Sequence, residues 1–282
     1  MTFEMGPALL FCPADSPDRF TKAAERADAV ILDLEDAVGP DRKAAARASL
    51  VEHPIDPART IVRVNPAGTP DFDADLAALA RTAYRTVMLA KAESAGQVAH
   101  LEGFGVVALC ETARGVLAAP ELAAAPDVVA LMWGAEDLVA SLGGTSSRRA
   151  DSSYRGVAVH ARAAVLLAAG AHGRAAIDAV HLDIADTGGL TAEAADAVAS
   201  GFAASACIHP SQVEVIRAAY LPGAAEVDRA RALLGAAQRQ GGVFRHEGAM
   251  VDEPVLRHAR AVLARAGEAG VGAAVSDPPR SR

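Results

Sequence analysis

The sequence has few aromatic residues and few cysteines. Phe, Tyr and Trp together make up 4% of the 282 residues, and the three cysteines, Cys12, Cys110 and Cys207, lie far apart in or beside apolar runs. An odd number of widely separated cysteines provides neither a disulfide framework nor a zinc site. Free cysteine is among the most often buried residue types, so we expect three buried, reduced thiols.

The sequence also lacks an excess of positive charge and long apolar stretches. Its formal net charge is −8, whereas nucleic-acid binding depends on clustered Lys and Arg. No uncharged apolar stretch is long enough to span a bilayer, and the start MTFEMGPALLFCPA has no basic region or cleavable apolar segment of a secretory signal. We therefore expect a cytoplasmic protein that binds neither nucleic acid nor membranes.

Apolar residues, 51% of the total, occur in short runs separated by alanine-rich segments. Eight runs resemble β-strands: ALLFCPA (8–14), AVILDLED (29–36), TIVRVN (60–65), TVMLAK (86–91), GVVALCET (105–112), VVALMWGAED (128–137), IDAVHLD (177–183) and ASACIHP (204–210). SPDRFTKAAERA, RKAAARASLVEH and SYRGVAVHARAAVLLAAGAHG have the apolar periodicity of helices. Strands that alternate with helices indicate parallel pairing.

Eight strand–helix units predict an α/β fold, a closed (β/α)8 TIM barrel with a C-terminal helical extension. The alternative is an open doubly wound sheet, whose nucleotide-binding form has G-x-G-x-x-G after the first strand, where this sequence reads CPADSPDRF. We expect the catalytic barrel to span 1–220. Residues 221–275 are expected to form a helical extension that packs on a neighbouring subunit, and 276–282 a disordered tail.

Polar residues lie where the predicted strands end. They are Asp33, Glu35, Asp36, Arg63, Asn65, Lys91, Glu111, Asp137, Asp183 and His209. In a parallel barrel the active site lies at the carboxyl ends of the strands. Carboxylates gathered at one rim repel one another, and a hard divalent cation offsets that repulsion. The pattern therefore predicts a magnesium site.

Glu111 and Asp137 are the best candidates for the Mg²⁺ ligands because they end consecutive runs, which are usually neighbours in a barrel. Small residues beside each carboxylate, in ETARG and GAED, leave room for waters and a bidentate substrate. Magnesium keeps several waters and needs few protein carboxylates, so two ligands suffice. The alternative is that one or both carboxylates cap helices or pair with Arg114.

The basic residues and His209 permit more than one interpretation. Arg63 lies in an otherwise apolar run and is suited to bind a substrate carboxylate, but it could also form a buried ion pair with Asp33 or Glu35. Lys91 either binds substrate or neutralises the acidic cluster. His209 fits a packed, hydrogen-bonded turn residue better than a general base.

With these motifs in place, the sequence resembles the citrate lyase β-subunit-like (CitE-like) branch of the HpcH/HpaI aldolase superfamily. The matching motifs run through nearly the whole chain: LFCPADSPDRFTKA, VILDLEDAV followed by KAAAR, VRVN, VMLAK, ETARGV, WGAEDL, GGTSS, IHPSQV and GAMVDEP. The departures are LFCPA where many relatives have Gly after the Pro, MLAK in place of MLPK, and no Gly-Lys before IHP.

The resemblance implies a magnesium-dependent, usually homotrimeric TIM barrel that makes or breaks a carbon–carbon bond between an acyl thioester and a 2-oxo acid. By motif, Glu111 and Asp137 are similar to the metal ligands, with Glu111 also in contact with substrate, and Arg63 is similar to the anchor of the oxo acid. Asp252 of MVDEP is similar to an acid/base carboxylate delivered by a neighbouring subunit. Glu35 is the alternative base.

We therefore expect a lyase that cleaves a 3-hydroxyacyl-CoA such as malyl-CoA or citramalyl-CoA to acetyl-CoA and a 2-oxo acid, or forms it by Claisen-type condensation. Three alternatives stay open: a citrate lyase β subunit acting on a citryl thioester of an acyl carrier protein, malate synthase or thioesterase activity at the same site, and an aldolase of free oxo acids. Arg19, Lys22 and Lys43 are either coenzyme A phosphate contacts or ordinary solvated helix charges.

Overall fold

The structure, a computed structural model, describes residues 3–240 and 242–267. Eight parallel strands form a closed barrel in chain order: β1 Ala8–Pro13, β2 Ala29–Asp33, β3 Thr60–Val64, β4 Thr86–Leu89, β5 Gly105–Cys110, β6 Val128–Trp133, β7 Ala175–Asp178 and β8 Ala204–Cys207. Strand β8 pairs with β1, with Ala206 opposite Leu9, and this pairing closes the sheet. The predicted (β/α)8 barrel is confirmed, and the open sheet is wrong.

Helices follow the strands along the chain. They are α1 Phe20–Arg26, α2 Lys43–Glu52, α3 Pro70–Leu79, α4 Ala95–Val98, α5 Ala113–Leu117, α6 Ala119–Ala124, α7 Ala135–Ser141, α8 Gly156–Ala171, α9 Thr187–Ser200, α10 Pro210–Tyr220, α11 Ala224–Gln240 and α12 Glu253–Arg265. Short 3-10 helices lie at Pro17–Arg19, Pro40–Arg42, Pro57–Arg59 and Ala99–Leu101. The three helices predicted from periodicity correspond to α1, α2 and α8.

Both faces of the barrel strands are buried. Alternate strand residues pack together in one cluster: Leu9, Ala29, Ile31, Ile61, Met88, Val107, Leu109, Ala130, Met132, Ile177, Ala204 and Ala206. The residues between them, such as Val30, Leu32 and Val62, are buried as well. A parallel sheet covered on both faces requires continuous apolar strands, which explains why the strands appear in the sequence as unbroken runs.

The chain divides into two compact units, Met1–Arg217 and Ala218–Arg282. The first contains the barrel. In the second, α11 and α12 pack through Val227, Ala230, Ala259 and Leu263. The sequence predicted this helical extension over 221–275, but its last residues and the tail predicted at 276–282 lie outside the described residues.

Two elements differ from the sequence-based expectation. Strand β7 ends at Asp178, not at Asp183, because the buried Asp178 carboxylate accepts the N–H of the next residue, Ala179, at 3.1 Å. The same carboxylate accepts hydrogen bonds from Trp133 Nε1 (2.6 Å) and Arg162 Nη2 (2.8 Å). Asp183 lies in a later turn, where its carboxylate accepts the N–H of Ala185.

The second difference is a hairpin within the predicted helical extension. Strands β9 Phe244–His246 and β10 Ala249–Val251 pair antiparallel around Glu247 and Gly248, which both have positive φ angles of 47° and 85°. A two-residue turn with positive φ at both positions suits the twist of a hairpin. Phe244 and Val251 pack with Ala236 and Leu256, so the hairpin has its own small core.

The three cysteines are buried and unpaired, as predicted. Burial raises the pKa of the Cys12 thiol to about 11 and the pKa of the Cys110 and Cys207 thiols to about 12. Within residues 3–240 and 242–267, no helix combines the length and the apolar character needed to cross a membrane.

Candidate active site

A cavity of about 220 Å³ lies at the carboxyl ends of the barrel strands. Its charged lining comes from four strand ends and consists of Asp33, Arg63, Glu111, Glu136 and Asp137. Phe11, Leu109, Met132 and Trp133 supply an apolar wall. The cavity therefore brings together four of the ten polar residues that the sequence singled out, Asp33, Arg63, Glu111 and Asp137.

Arg63 is held in one orientation by two carboxylates. Its strand β3 pairs with β2 so that Arg63 lies opposite Asp33, and Nε and Nη2 donate to the two Asp33 oxygens at 2.8 and 2.6 Å. Nη1 lies 3.1 Å from Glu35 Oε2. Burial lowers the pKa of Arg63, but the hydrogen bonds and charge of Asp33 raise it above its usual range, so the guanidinium stays charged.

The ion pair considered for Arg63 is therefore present, yet it does not exclude a role with substrate. These contacts use three of the five N–H groups of the guanidinium. The carbon of the guanidinium also lies 4.9 Å from the centre of the Phe11 ring, and both residues line the cavity. A cation held this firmly is suited to bind a carboxylate without further ordering.

Lys91 neutralises the acidic cluster, one of its two predicted roles. Its ammonium contacts Glu35 Oε1, lies 3.1 Å from Asp36 Oδ2 and lies 3.7 Å from Asp137 Oδ1. Its backbone N–H donates to Glu111 Oε1 at 3.0 Å, and its φ of 50° lies in the left-handed region. Nothing in the sequence indicates that this one residue contacts four carboxylates. Its position at a strand end was the only signal.

Glu35 lies between the two cations and is 3% exposed. Oε1 contacts Lys91, and Oε2 lies 3.1 Å from Arg63 Nη1 and accepts the N–H of Asp36 at 3.1 Å. Burial raises the pKa of Glu35, while the charges of Arg63 and Lys91 oppose that rise. Both carboxylate oxygens of Glu35 therefore contact a cation.

Glu111 follows β5 directly and is 2% exposed. Burial, and then the charge of Asp137, raise the pKa of Glu111 to about 8. Neither carboxylate caps a helix, because Thr112 Oγ1 caps α5 and the N-cap of α7 is Gly134. Arg114 instead lies 3.7 Å from Glu93, so the alternative roles for Glu111 and Asp137 are wrong.

The chemistry of the Glu111–Asp137 pair fits a hard divalent cation. Two neighbouring carboxylates, one of them buried, are unfavourable without a positive charge between them. In the part of the chain that the structure describes, no group of three or more His, Cys, Asp or Glu side chains is arranged to hold a metal. A pair of carboxylates completed by water is the coordination that Mg²⁺ commonly uses in proteins.

Asp252 and His209 have local hydrogen-bonding partners. Asp252 follows β10 in the second unit and is the N-cap of α12, where its side chain accepts the N–H of Val255 at 3.4 Å. His209 Nδ1 lies 2.8 Å from Ser211 Oγ, as expected for a hydrogen-bonded turn residue, but the side chain is exposed and not packed as predicted. The acid/base role of Asp252 stays a prediction.

A closed (β/α)8 barrel with charged side chains around a cavity at its carboxyl rim is the arrangement of a TIM-barrel enzyme. The profile of the HpcH/HpaI aldolase/citrate lyase family matches residues 8–210. The chain belongs to this family, which confirms the family predicted from the motifs.

Two similar proteins match almost the whole chain. A citrate lyase subunit beta-like protein of Mycobacterium tuberculosis is 59% identical over 264 residues, 94% of this chain and 97% of that protein. A (3S)-malyl-CoA thioesterase of Cereibacter sphaeroides is 34% identical over 275 residues, 92% of this chain and 94% of that protein.

The fold is also similar to a crystal structure of CitE from M. tuberculosis in complex with magnesium, acetoacetate and coenzyme A. The TM-score is 0.90 and the identity 58%, over 94% of this chain and 99% of that chain.

Proposed function

We propose that the protein is a Mg²⁺-dependent carbon–carbon lyase. It cleaves a 3-hydroxyacyl-CoA such as malyl-CoA or citramalyl-CoA to acetyl-CoA and a 2-oxo acid, or forms it by Claisen-type condensation. The observation that supports this best is the buried Glu111 beside Asp137 in a cavity that Arg63 also lines. The similar CitE structure contains magnesium, acetoacetate and coenzyme A, which supports the proposal that this protein binds the same kinds of ligand.

Glu111 and Asp137 are the residues that would hold Mg²⁺. Bound there, the ion supplies Lewis acidity that favours ionisation of the substrate hydroxyl. The two carboxylates provide the charge that the ion requires, and the missing side chain of Gly134 allows Glu111 to lie directly against the turn before α7.

Arg63 binds the carboxylate of the oxo acid in this proposal. Asp33 and Glu35 fix the guanidinium before substrate arrives, so little side-chain freedom is lost on binding. The nearby ammonium of Lys91 adds a positive charge that stabilises negative charge as it develops on the reacting carbonyl groups.

We infer that Asp252, rather than Glu35, is the base. Both oxygens of Glu35 already contact a cation, which leaves it poorly placed to accept a proton. Asp252 removes the proton of the substrate hydroxyl, the bond between C2 and C3 breaks, and the electron pair stays on the acetyl-CoA fragment as an enolate. Protonated Asp252 then returns the proton to the enolate carbon, which gives acetyl-CoA and restores the carboxylate. Condensation follows the reverse path.

The oligomer we propose is a cytoplasmic homotrimer in which residues 221–275 pack on a neighbouring subunit and deliver Asp252. The test mixes two inactive variants, Asp252→Asn and Glu111→Gln, and allows subunits to exchange. Recovered activity supports delivery between subunits. A mixture that stays inactive while mass spectrometry shows mixed oligomers contradicts it.

The activity is tested with malyl-CoA, citramalyl-CoA, hydroxymethylglutaryl-CoA and citryl-CoA, each with and without Mg²⁺. Products are identified by mass. We expect acetyl-CoA and the matching oxo acid from at least one thioester, only when Mg²⁺ is present. Absence of carbon–carbon cleavage in every sample contradicts the proposal.

A thioesterase or malate synthase activity at the same site is the second candidate, because a 34% identical relative is a (3S)-malyl-CoA thioesterase. The same mass measurement separates the two. Hydrolysis of malyl-CoA gives malate and free coenzyme A, whereas cleavage gives acetyl-CoA and glyoxylate. A protein inactive alone but active with an acyl carrier protein partner favours a citrate lyase β subunit instead.

A further inference from the structure

The KAAAR motif places Lys43 and Arg47 four residues apart on α2, and the proposed reaction gives neither a role. Both direct their side chains into one chain of hydrogen bonds, formed by Lys43, Asn65, Asp75 and Arg47, which we call the α2–β3 network. We infer that this network positions Glu35 and Arg63 for catalysis. Lys43 is thus a positioning residue and not a coenzyme A phosphate contact. The inference rests on the proposed lyase function.

Lys43 uses all the donors of its ammonium inside the protein. Nζ donates to the backbone oxygens of Leu34 and Glu35 at 2.8 and 3.0 Å, and to Asn65 Oδ1 at 2.8 Å. An ammonium has three N–H donors. A phosphate would therefore have to displace one of these bonds. The three acceptors lie on the segments that follow β2 and β3.

Asn65 continues the network from the end of β3. Its Nδ2 donates to the Leu34 oxygen at 2.9 Å and to Asp75 Oδ2 at 2.7 Å. Its backbone N–H donates to the same Asp75 oxygen at 2.9 Å. Asn65 is 5% exposed, so these bonds are shielded from water. Substituting it leaves buried polar groups without partners, which is costly.

Asp75 and Arg47 anchor the network on the helices. The Asp75 side chain is fully buried, and its Oδ1 accepts from Arg47 Nε at 2.7 Å. Arg47 also contacts Asp71 on the same helix as Asp75. Helices α2 and α3 are therefore joined to the ends of β2 and β3 by a continuous set of charged and polar contacts.

The network acts on the site because its acceptors are close in sequence to the site residues. The Glu35 oxygen that Lys43 binds belongs to the residue whose carboxylate contacts Arg63. Asn65 lies two residues after Arg63, and the Leu34 N–H donates to the Arg63 oxygen at 3.0 Å. The network and these backbone hydrogen bonds thus restrict the movement of both Glu35 and Arg63. A displacement of about 1 Å at such a contact lowers activity by roughly 100-fold.

The chain offers a matched control at the opposite ends of the same two strands. Arg59 precedes β3, and its Nε donates to the Asp28 oxygen at 2.7 Å, just before β2. Its Nη2 donates to the Ala27 oxygen. Arg59 therefore joins β2 and β3 through backbone oxygens, as Lys43 does, but at the amino ends of the strands.

The experiment compares Lys43→Met with Arg59→Met at a temperature where circular dichroism shows both folded. With Mg²⁺ and thioester, kcat/KM should fall on the order of 100-fold for Lys43→Met and stay near wild type for Arg59→Met. Coenzyme A affinity, measured by calorimetry, should be unchanged in both. Lys43→Arg, which keeps a cation and several donors, should recover part of the activity and replaces Lys43→Met if that variant does not fold.

Hydrogen exchange by mass spectrometry tests positioning without any substrate. Residues 34–38 should exchange faster in Lys43→Met than in wild type or Arg59→Met. This readout stays informative if the wild-type protein cleaves no thioester, an outcome that contradicts the proposed function alone. Weaker coenzyme A binding with normal turnover and normal exchange would assign Lys43 to the phosphates and overturn the inference. Equal activity losses in Lys43→Met and Arg59→Met would also overturn it.

Discussion

Glu111 combines near-complete burial with a neighbouring carboxylate, and each feature disfavours its charged form. Burial, followed by the charge of Asp137, raises the pKa of Glu111 to about 8. A residue selected only for stability would not need this arrangement. It is favourable when a cation binds the ionised pair, which is why we regard Glu111 and Asp137 as the centre of the site.

Glu111→Gln and Asp137→Asn should separate function from stability. Loss of a partner in the outer shell of a metal site costs about 10–100-fold in affinity, so loss of a direct ligand should weaken Mg²⁺ binding by at least about 100-fold. Without Mg²⁺, the melting temperature should be unchanged or higher, because a repulsion is removed. Calorimetric titration and thermal unfolding measure the two effects. Glu136→Gln is the control, and equal losses in all three variants would contradict the ligand assignment.

Asp252 has two possible contributions, a helix cap and a base, and two substitutions distinguish them. Asp252→Asn keeps a good N-cap and removes the base, so turnover should be lost while the melting temperature stays near wild type. Asp252→Ala should lose turnover and also about 1 kcal/mol of stability. Denaturant unfolding and steady-state kinetics measure the two effects. Full turnover in Asp252→Asn would leave Asp252 as a cap only.

At the scale of elements, the sequence predicted strands best where both faces are buried, because such strands are continuous apolar runs. It predicted the end of β7 too late, since VHL continues the apolar pattern after Asp178. The three-residue strands of the β9–β10 hairpin are too short to show any period, and Glu-Gly is not one of the residue pairs that signal a two-residue hairpin turn.

The residues at the rim were predictable, but their contacts were not. Arg63, Glu111 and Asp137 all line the cavity, as expected from their positions at strand ends. Lys91 and Glu35 are 56 residues apart, and no sequence pattern encodes which of several rim cations meets which carboxylate. The same limit explains why Lys43 was considered as a phosphate contact, since a pattern cannot tell whether the acceptors of a lysine lie inside or outside the protein.

The turn between β6 and α7 leads to a prediction about Gly134. Its φ is −128°, which any residue can adopt, so only space matters there. A Cβ would lie 2.9 Å from Glu111 Cβ and 3.0 Å from Oε2. Gly134→Ala should therefore displace Glu111 and lower kcat/KM on the order of 100-fold. Kinetics compare it with Gly156→Ala at the start of α8, where a Cβ meets nothing within 4 Å. Equal activity in both variants would contradict the steric argument.

At the scale of the whole molecule, the reactivity of the three cysteine thiols measures how readily the barrel strands open. Each lies in a barrel strand and is at most 3% exposed. Their raised pKa values mean that the folded state holds these protons more tightly than the unfolded state. The free energy that the protonated thiols contribute to folding is therefore fully present below pH 9.0, the ordinary pKa of a thiol. It is lost as the pH rises towards the raised pKa values of about 11 to 12.

Thiol labelling with a chromogenic disulfide at pH 8 should consequently be slow in the native protein. Labelling requires an opened state in which the thiol ionises and meets the reagent, so its rate should follow unfolding as denaturant is added. All three thiols should react in denaturant. Labelling of one thiol in the native protein at the rate of a free cysteine would show that the strand carrying it opens independently.

The central claim is that Glu111 and Asp137 together bind the Mg²⁺ on which the lyase reaction depends. A crystal structure with Mg²⁺ and pyruvate tests it most directly. We expect one ion bonded to an oxygen of each carboxylate at about 2.0–2.1 Å, with the pyruvate carboxylate bound to Arg63. Water alone between Glu111 and Asp137 at saturating Mg²⁺ and pyruvate would contradict the account.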